Sequence, residues 1–404
     1  MKLSVLLAFV GYAVSFAAAE GGQKPFGIQE QQYPGFDLNL DELRLVQLEG
    51  QEPVWMSELE KVTNTPVLNS SLVTLSRLLQ INLKAQGVHF FDVTDTPNFG
   101  SSALLRSAVK PVYPALNHSD VIRPILKTLS SDGPKDNLKE FTSFRTRYRI
   151  LLFVCPLTSV RQITTQYAPK TLRDKITINE FPHGWGQNSI IVRINGSSAT
   201  DDSVVVIGAH QDSTNMWPFL PAPGADDDGS GSVTILESYR ALIAADFHPI
   251  KSIEFHWYSA EEGGLLGSSA IAQAYEAAST NVYAMSQFDM TAWVKQGTRE
   301  EVGVITDFVD PSLTEFNKKL VDEYLDIPYV ETECGYACSD HASWAKGGYP
   351  SIFTIESSFS NSNKNIHSAK DRYDVSPEFS FSHMLEFSKL AVAFAVELAG
   401  WTRD

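Results

Sequence analysis

Histidine and carboxylate side chains follow several apolar runs of this sequence at the points where strands would end. His210 closes the run VVVIGA, Glu261 and Glu262 follow IEFHWYSA, and Asp289 follows YAMSQF. Each residue alone has an ordinary structural explanation, such as a helix cap for an aspartate. The carboxyl ends of parallel strands, however, meet along one edge of a sheet, which is where ligands bind. The repeated pattern therefore favours one shared site.

The stretch APGADDDGSG at 222–231 places three aspartates in a frame of glycine, proline and serine. Such an acidic turn is usually a solvated loop. It also matches the ligand positions of a calcium-binding EF-hand loop, which needs a helix entering it. The approach, TNMWPFLPAPGA, carries three prolines that cannot propagate a helix, so the calcium interpretation is excluded. A mixed set of histidine and carboxylates is instead typical of zinc.

A nucleophilic serine is the weaker alternative. Ser213 and Ser339 are candidates, but neither lies in a G-x-S-x-G motif.

Apolar runs of strand length alternate with helical patterns from about residue 119 onward. A chain of 404 residues with 43% hydrophobic composition is long enough for one large domain. The alternation predicts an α/β fold in which a mixed, largely parallel central sheet is flanked by helices on both faces of a single catalytic domain. The predicted strands lie at 203–210, 252–260, 281–290, 303–308 and 351–357, and the predicted helices at 232–245, 265–278, 312–325 and 379–399.

The first 19 residues have the order of parts of a secretory signal peptide. Lys2 precedes an apolar run that is short for a membrane span and ends in small residues, so we expect an exported protein that does not bind a membrane. Residues 20–88 are acidic and are interpreted as helical pieces joined by polar linkers, ahead of a catalytic domain at 89–404. Three glycosylation sequons begin at Asn69, Asn117 and Asn195.

The formal charge of −16 argues against nucleic-acid binding. Cys334 and Cys338 bracket a tight GYA turn and can form a disulfide in an oxidising compartment. A zinc site with C-x3-C spacing is the alternative, but it needs a second pair of ligands that the sequence does not show. Cys155 has no obvious partner.

Six motifs carry a resemblance to a known family: GAHQDS, PGADDDGSG, SAEEGGLLGS, QFDM, CGYACSDHASW and NIHSAKD, in that order. Over residues 160–404 the chain resembles the secreted leucine aminopeptidases of the M28 metallopeptidase family, whose pro-segment would correspond to residues 20–88. The resemblance implies two Zn²⁺ per chain and a cis Asp227-Asp228 peptide. Its metal ligands would be His210, Asp227 and Asp289 for one ion and Glu262 and His367 for the other, with Asp227 bridging the two.

The resemblance also implies that Tyr336 donates to a developing oxyanion and that Asp340 and His341 support the site. Asp228 is expected to shape the turn, and Asp212, two residues beyond His210, can accept the imidazole N–H. The apolar pocket for the first substrate side chain would comprise Met290, Phe353, Ile355, Phe359 and Ile366. Residues 149–160 depart from the family pattern.

Glu261 is predicted to be the general base. Consecutive residues at the end of an extended run point apart, so if Glu262 turns to a metal, Glu261 is left beside it. A carboxylate there can take a proton from metal-bound water and pass it to the leaving amine. The alternative is that Glu261 only balances charge.

These features predict a secreted, monomeric zymogen that removes neutral or apolar residues, leucine above all, from peptides with a free N-terminus. The alternatives are another zinc hydrolase or cyclase on this fold, such as a carboxypeptidase, an acylase or a glutaminyl cyclase, and, more distantly, a non-enzymatic module. A carboxypeptidase would be expected to carry an arginine in the pocket, and a non-enzyme to lack a ligand. Neither expectation matches the sequence.

Overall fold

A computed structural model describes residues 41–47, 53–57, 90–96, 99–107, 111–148, 155–217 and 220–401. The predicted signal peptide, the sequon at Asn69 and residues 149–154 lie outside the described residues. No helix in the described part of the chain is both long and apolar enough to span a bilayer.

An eight-stranded mixed sheet forms the centre of the domain. Its strands are β4 (Ile176–Phe181), β5 (Ser189–Ile194), β6 (Val204–His210), β7 (Ser252–Tyr258), β8 (Val282–Phe288), β9 (Val302–Ile305), β10 (Tyr329–Thr332) and β11 (Ser351–Ile355). Their order across the sheet is β10-β9-β11-β8-β6-β7-β5-β4. The neighbours β6/β7, β6/β8, β8/β11 and β9/β10 are parallel, and the other pairs are antiparallel. The largely parallel sheet is therefore confirmed.

Helices cover both faces of this sheet. On β6, Val205 and Ile207 pack into the cluster that includes Phe394, whereas Val204 and Val206 pack on the opposite side with Trp344. Burial on both faces explains why the central strands are continuously apolar. The helices are α1 (Ala103–Ser107), α2 (Ser119–Leu126), α3 (Asp132–Phe141), α4 (Cys155–Tyr167), α5 (Lys170–Arg173), α6 (Gly231–Ala244), α7 (Leu266–Ala277), α8 (Pro311–Tyr324), α9 (His341–Lys346) and α10 (Phe381–Ala399).

A second, three-stranded antiparallel sheet corrects the interpretation of residues 20–88 as helical. Where that segment is described, it forms β1 (Leu43–Gln47) and β2 (Val54–Ser57), which pair with each other, and β1 also pairs with β3 (Phe91–Asp92). The helical interpretation was wrong there because β1 and β2 are only five and four residues long, so their strand pattern is short and the pairing within the sheet decides the structure. Arg44, buried in β1, bonds Asp92 at 2.8 Å. The domain boundary at residue 88 stays a prediction.

Three strands of the central sheet, β4, β5 and β10, were not predicted. β4 pairs antiparallel with β5 at one end of the sheet, and β10 lies at the other end beside β9. β4 is only half-buried, so its apolar pattern is weak.

Candidate metal centre

The predicted site residues lie at the carboxyl edge of the three adjacent parallel strands β6, β7 and β8. His210 ends β6, Glu262 follows β7 and Asp289 follows β8. Asp227 lies in the turn Ala225–Ser230 before α6, where its backbone is not helical (φ −101°, ψ 97°), and His367 lies in the long loop after β11. Segments far apart in the chain thus converge because the strands are parallel neighbours.

Two trios of ligand atoms share Asp227. His210 Nε2 lies 3.2 Å from Asp227 Oδ1 and 3.6 Å from Asp289 Oδ2. His367 Nε2 lies 3.0 Å from Asp227 Oδ2 and 3.1 Å from Glu262 Oε2. In each trio the ligand atoms lie within 4.8 Å of one another. Asp227 turns one carboxylate oxygen to each trio, an arrangement that can bridge two cations.

The chemistry of the trios fits a metal better than internal hydrogen bonding. In the described part of the chain, His210 Nε2 and Asp289 Oδ1 are buried and make no hydrogen bond of acceptable geometry, which is unusual for buried polar atoms. Although burial lowers the pKa of His367, Glu262 and Asp227 raise it to about 10. The site therefore favours positive charge, and one nitrogen with two carboxylates per trio suits zinc.

Asp212 supports both halves of the site. His210 Nδ1 lies 3.4 Å from Asp212 Oδ1 and 3.2 Å from its carbonyl oxygen. The Asp212 carboxylate also accepts the backbone N–H groups of Glu261 at 3.0 Å and Glu262 at 3.1 Å, which the sequence analysis missed. One buried side chain thereby links the histidine of β6 to the two glutamates after β7.

Asp228 has a comparable linking position. It accepts the backbone N–H of His210 at 3.0 Å and that of Met290 at 3.2 Å, and so joins β6 to the segment after β8. The Asp227-Asp228 peptide is cis, as the resemblance implied. Ser339, which was considered only as a nucleophile, donates to Asp289 at 2.7 Å.

Asp340 and His341 follow Ser339 in the chain and do not belong to the two trios. Gln287 donates to Asp340 at 3.2 Å, and burial raises the pKa of Asp340 to about 7. His341 stacks on Phe353 at 5.0 Å between ring centres, and burial lowers its pKa to about 3. Both are buried.

Glu261 lies in a turn, which corrects the local geometry expected for it. β7 ends at Tyr258, Ala260 has a positive φ of 56°, and the Glu261 carbonyl accepts from Leu265 N at 2.8 Å. The two glutamates therefore do not diverge by strand alternation. Their N–H groups are held together by Asp212. Positive φ is costly for a residue with a Cβ and often occurs at functional sites.

The loop carrying Tyr336 is closed by a disulfide between Cys334 and Cys338, so the zinc alternative for this pair is wrong. Asp307 accepts the N–H groups of Cys334 and Gly335 and holds the loop further. Burial raises the pKa of Tyr336, and Glu261 and Asp227 raise it further. The phenol therefore lies within the electrostatic field of the trios.

The predicted pocket residues form one apolar cluster. Met290, Phe353 and Ile355 are buried, and Phe359 and Ile366 are partly buried against them. The cluster also includes both disulfide cysteines, Tyr336, and Ile305 and Val309, which the sequence analysis did not select. An apolar surface therefore adjoins the loop that carries Tyr336.

An α/β sheet with paired ligand trios at its carboxyl edge has the architecture of a metallopeptidase. Residues 189–391 match the model of peptidase family M28, and the chain belongs to that family. It is 44% identical to "Leucine aminopeptidase 1" of Pyrenophora teres f. teres (strain 0-1) and 42% identical to that of Coccidioides posadasii (strain C735), in each case over 99% of both chains. The crystal structure of the Legionella pneumophila LapA aminopeptidase has a TM-score of 0.69 and 31% identity, covering 83% of this chain and 91% of that one. These relatives place the chain among the metallo-aminopeptidases.

Proposed function

We propose that this protein is a secreted leucine aminopeptidase that uses two zinc ions. The observation that best supports this proposal is the position of Asp227, whose two carboxylate oxygens face His210 and His367 at 3.2 and 3.0 Å. The trios His210/Asp227/Asp289 and Asp227/Glu262/His367 would each hold one ion. When bound, such a zinc pair polarises the scissile carbonyl and lowers the pKa of a water molecule.

Glu261 moves the proton in this proposal. Its carboxyl group is buried and neighbours the ligand Glu262 in the chain. It takes a proton from the attacking water and passes it to the leaving amine, which an amide requires because its nitrogen leaves poorly unless protonated. Asp212 orients Glu261 by accepting its backbone N–H.

Tyr336 stabilises the developing negative charge on the scissile carbonyl oxygen. Its phenol lies near Glu261 and Asp227 on a loop held by the disulfide and by Asp307. A fixed donor of this kind needs no reorganisation during the reaction.

The apolar cluster around Met290 and Phe353 takes the side chain of the first substrate residue. Phe359 and Ile366 are partly buried, so they can contact a ligand as well as the core. The excess of carboxylates at the site favours a substrate with a free, basic N-terminus.

A matched substrate panel tests the activity. Leucine amide should be hydrolysed faster than alanine, lysine or glutamate amide, and N-acetyl-leucine amide should not be hydrolysed. Preferential hydrolysis of N-acetylated substrates would indicate an acylase. Release of C-terminal residues would indicate a carboxypeptidase, and cyclisation of N-terminal glutamine would indicate a glutaminyl cyclase.

Export and maturation are part of the same proposal. Residues 1–19 would direct secretion, residues 20–88 would be removed from the zymogen, and the product would act as a monomer on peptides. Asn117 and Asn195 are exposed and so accessible to glycosylation. N-terminal sequencing of secreted, active enzyme is expected to begin near residue 89, and active enzyme that still begins at Glu20 would argue against an inhibitory pro-segment.

A further inference from the structure

The loop that carries Asp227 is held on its carbonyl side by a buried arginine. Arg147 is fully buried and donates to the carbonyl oxygens of Gly224 at 2.7 Å and of Pro223. Its Nε donates to the carbonyl of Gln211, between His210 and Asp212, at 2.9 Å. One guanidinium group therefore ties the end of β6 to the start of the loop.

The same loop is held on its amide side by a buried aspartate. Asp371 Oδ1 accepts the N–H of Asp226 at 3.0 Å, and Oδ2 accepts that of Asp227 at 3.1 Å. The Asp371 carbonyl accepts the N–H of Ala225 at 3.1 Å. Asp371 follows His367 by four positions in the chain, so it ties the loop of one histidine to the loop of the shared ligand.

Together these contacts use one backbone group from each of five consecutive residues, the carbonyl oxygens of Pro223 and Gly224 and the N–H groups of residues 225–227. Gly224 permits the close approach: its φ is +56°, and a Cβ there would lie 2.8 Å from Arg147 Nη2 and 2.6 Å from the Asp227 carbonyl oxygen. No ordinary side chain fits this position without displacing the arginine or the loop.

Asp371 also offsets part of the cost of burying Arg147. Burial lowers the pKa of Arg147 to about 10, and Asp371 is the strongest charge opposing that change. Each finds hydrogen bonds on the loop backbone, Arg147 at carbonyl oxygens and Asp371 at N–H groups, so the loop lies between the two buried side chains.

We propose that Arg147 and Asp371 are positioning residues that hold the Asp227 loop so that its carboxylate can bind both metal ions. The inference rests on the two-metal site of the proposed function. Neither residue belongs to the two ligand trios; they act through the backbone of residues 223–227.

The substitution Asp371→Asn tests the amide side of this brace. Asparagine has nearly the same size, but its single carbonyl oxygen can accept only one of the two N–H groups, and its NH2 group then faces the other. We expect zinc affinity, measured by chelator competition on purified protein, to fall about 10- to 100-fold. The control is Asp374→Asn, which removes an exposed carboxylate from the same loop and should bind zinc like the wild type.

Melting curves of the metal-free proteins separate positioning from general stability. If Asp371 positions the loop, the zinc-dependent rise in Tm of Asp371→Asn should decrease by more than its metal-free Tm does. Both changes are measured relative to the wild type. Wild-type zinc affinity in this variant, with both Tm values lowered equally, would overturn the inference.

Arg147→Lys tests the carbonyl side of the brace, and it replaces the first test if Asp371→Asn does not fold. Lysine keeps the charge but loses the planar set of donors, so zinc affinity should fall, whereas Arg145→Met at an exposed neighbouring position should leave it unchanged. Wild-type affinity in Arg147→Lys would then overturn the inference. Wild-type protein that binds no zinc would instead contradict the proposed function.

Discussion

Two buried clusters of charged side chains are attached to the same strand, β7. Within the strand, Glu254 accepts from Arg193 at 2.7 Å and Tyr275 at 2.7 Å, and lies 2.9 Å from His256 Nε2. Burial alone would raise the pKa of Glu254, but these partners lower it to about 2. This cluster is neutralised by its own side chains.

The cluster beyond the end of β7 is not neutralised in this way. Burial raises the pKa of Glu261 well above its usual value, and Asp340 and Glu262 raise it further despite His210. Burial and Asp289 likewise raise the pKa of Asp228. Among the described residues, this edge gathers ten buried carboxyl groups: Asp212, Asp226, Asp227, Asp228, Glu261, Glu262, Asp289, Asp340, Glu356 and Asp371.

The two clusters of buried charge differ in where their counter-charge comes from. Isolated buried charges are too costly to persist, so each needs a partner. Glu254 has its partners within the protein, whereas the ten carboxyl groups at the sheet edge outnumber the cationic side chains beside them, Arg147 and the two histidines, and so favour additional positive charge. Strongly perturbed carboxyl groups around a pair of histidines therefore indicate a site for cations.

Removal of metal should have the largest effect, and only on the edge cluster. A chelator is expected to abolish aminopeptidase activity and to lower Tm, and added zinc to restore both, because the carboxylates lose their counter-charge. Fully active enzyme with no more than one tight zinc per chain would contradict the bridging role of Asp227.

Glu261→Gln should have the next largest effect. Glutamine keeps the size and hydrogen bonding of the side chain but cannot accept a proton, so kcat should fall by about 10² to 10⁴-fold while both zinc ions stay bound. Glu323→Gln, at an exposed position on α8, is the control. Near-normal turnover with both zinc ions bound would refute the assignment, and loss of zinc would mean that Glu261, not Glu262, is a ligand.

Glu254→Gln should lower the free energy of unfolding without changing zinc binding. The pKa of Glu254 falls from 4.5 to about 2 on folding, a shift that corresponds to about 3 kcal/mol. Because the folded pKa is lowered, this stability is fully present above pH 4.5 and is lost as the pH falls towards 2. In denaturant unfolding, the difference in the free energy of unfolding between wild type and variant should therefore narrow as the pH falls across this range. A difference independent of pH would contradict the assignment.

Ile366→Ala should have the smallest effect, on substrate preference alone. Removing part of the pocket wall should reduce the ratio of kcat/KM for leucine over alanine substrates by up to about tenfold. Zinc binding and the activity on alanine amide should change little. An unchanged ratio would show that Ile366 lies outside the pocket.

The fold class was predictable because its signals are local. The runs around β6, β7, β8 and β11 are apolar enough to be recognised without their neighbours, and the prediction of a largely parallel sheet is confirmed. β1 and β2 were misread because they are only five and four residues long, and so short an alternating pattern does not distinguish a strand from a helical turn. They are held as strands by pairing with each other and by the pairing of β1 with β3.

Short motifs such as GAHQDS and NIHSAKD already specify which chemical groups reach the sheet edge, because they contain both the strand end and the ligand type. How those groups are held depends on the tertiary fold. Asp212 reaches Glu261 and Glu262 across about fifty residues, and Asp371 reaches Asp227 across 144. These hydrogen bonds join backbone amides to distant side chains, and a backbone amide leaves no mark in the residue types. The packing of the sheet and its loops brings them together.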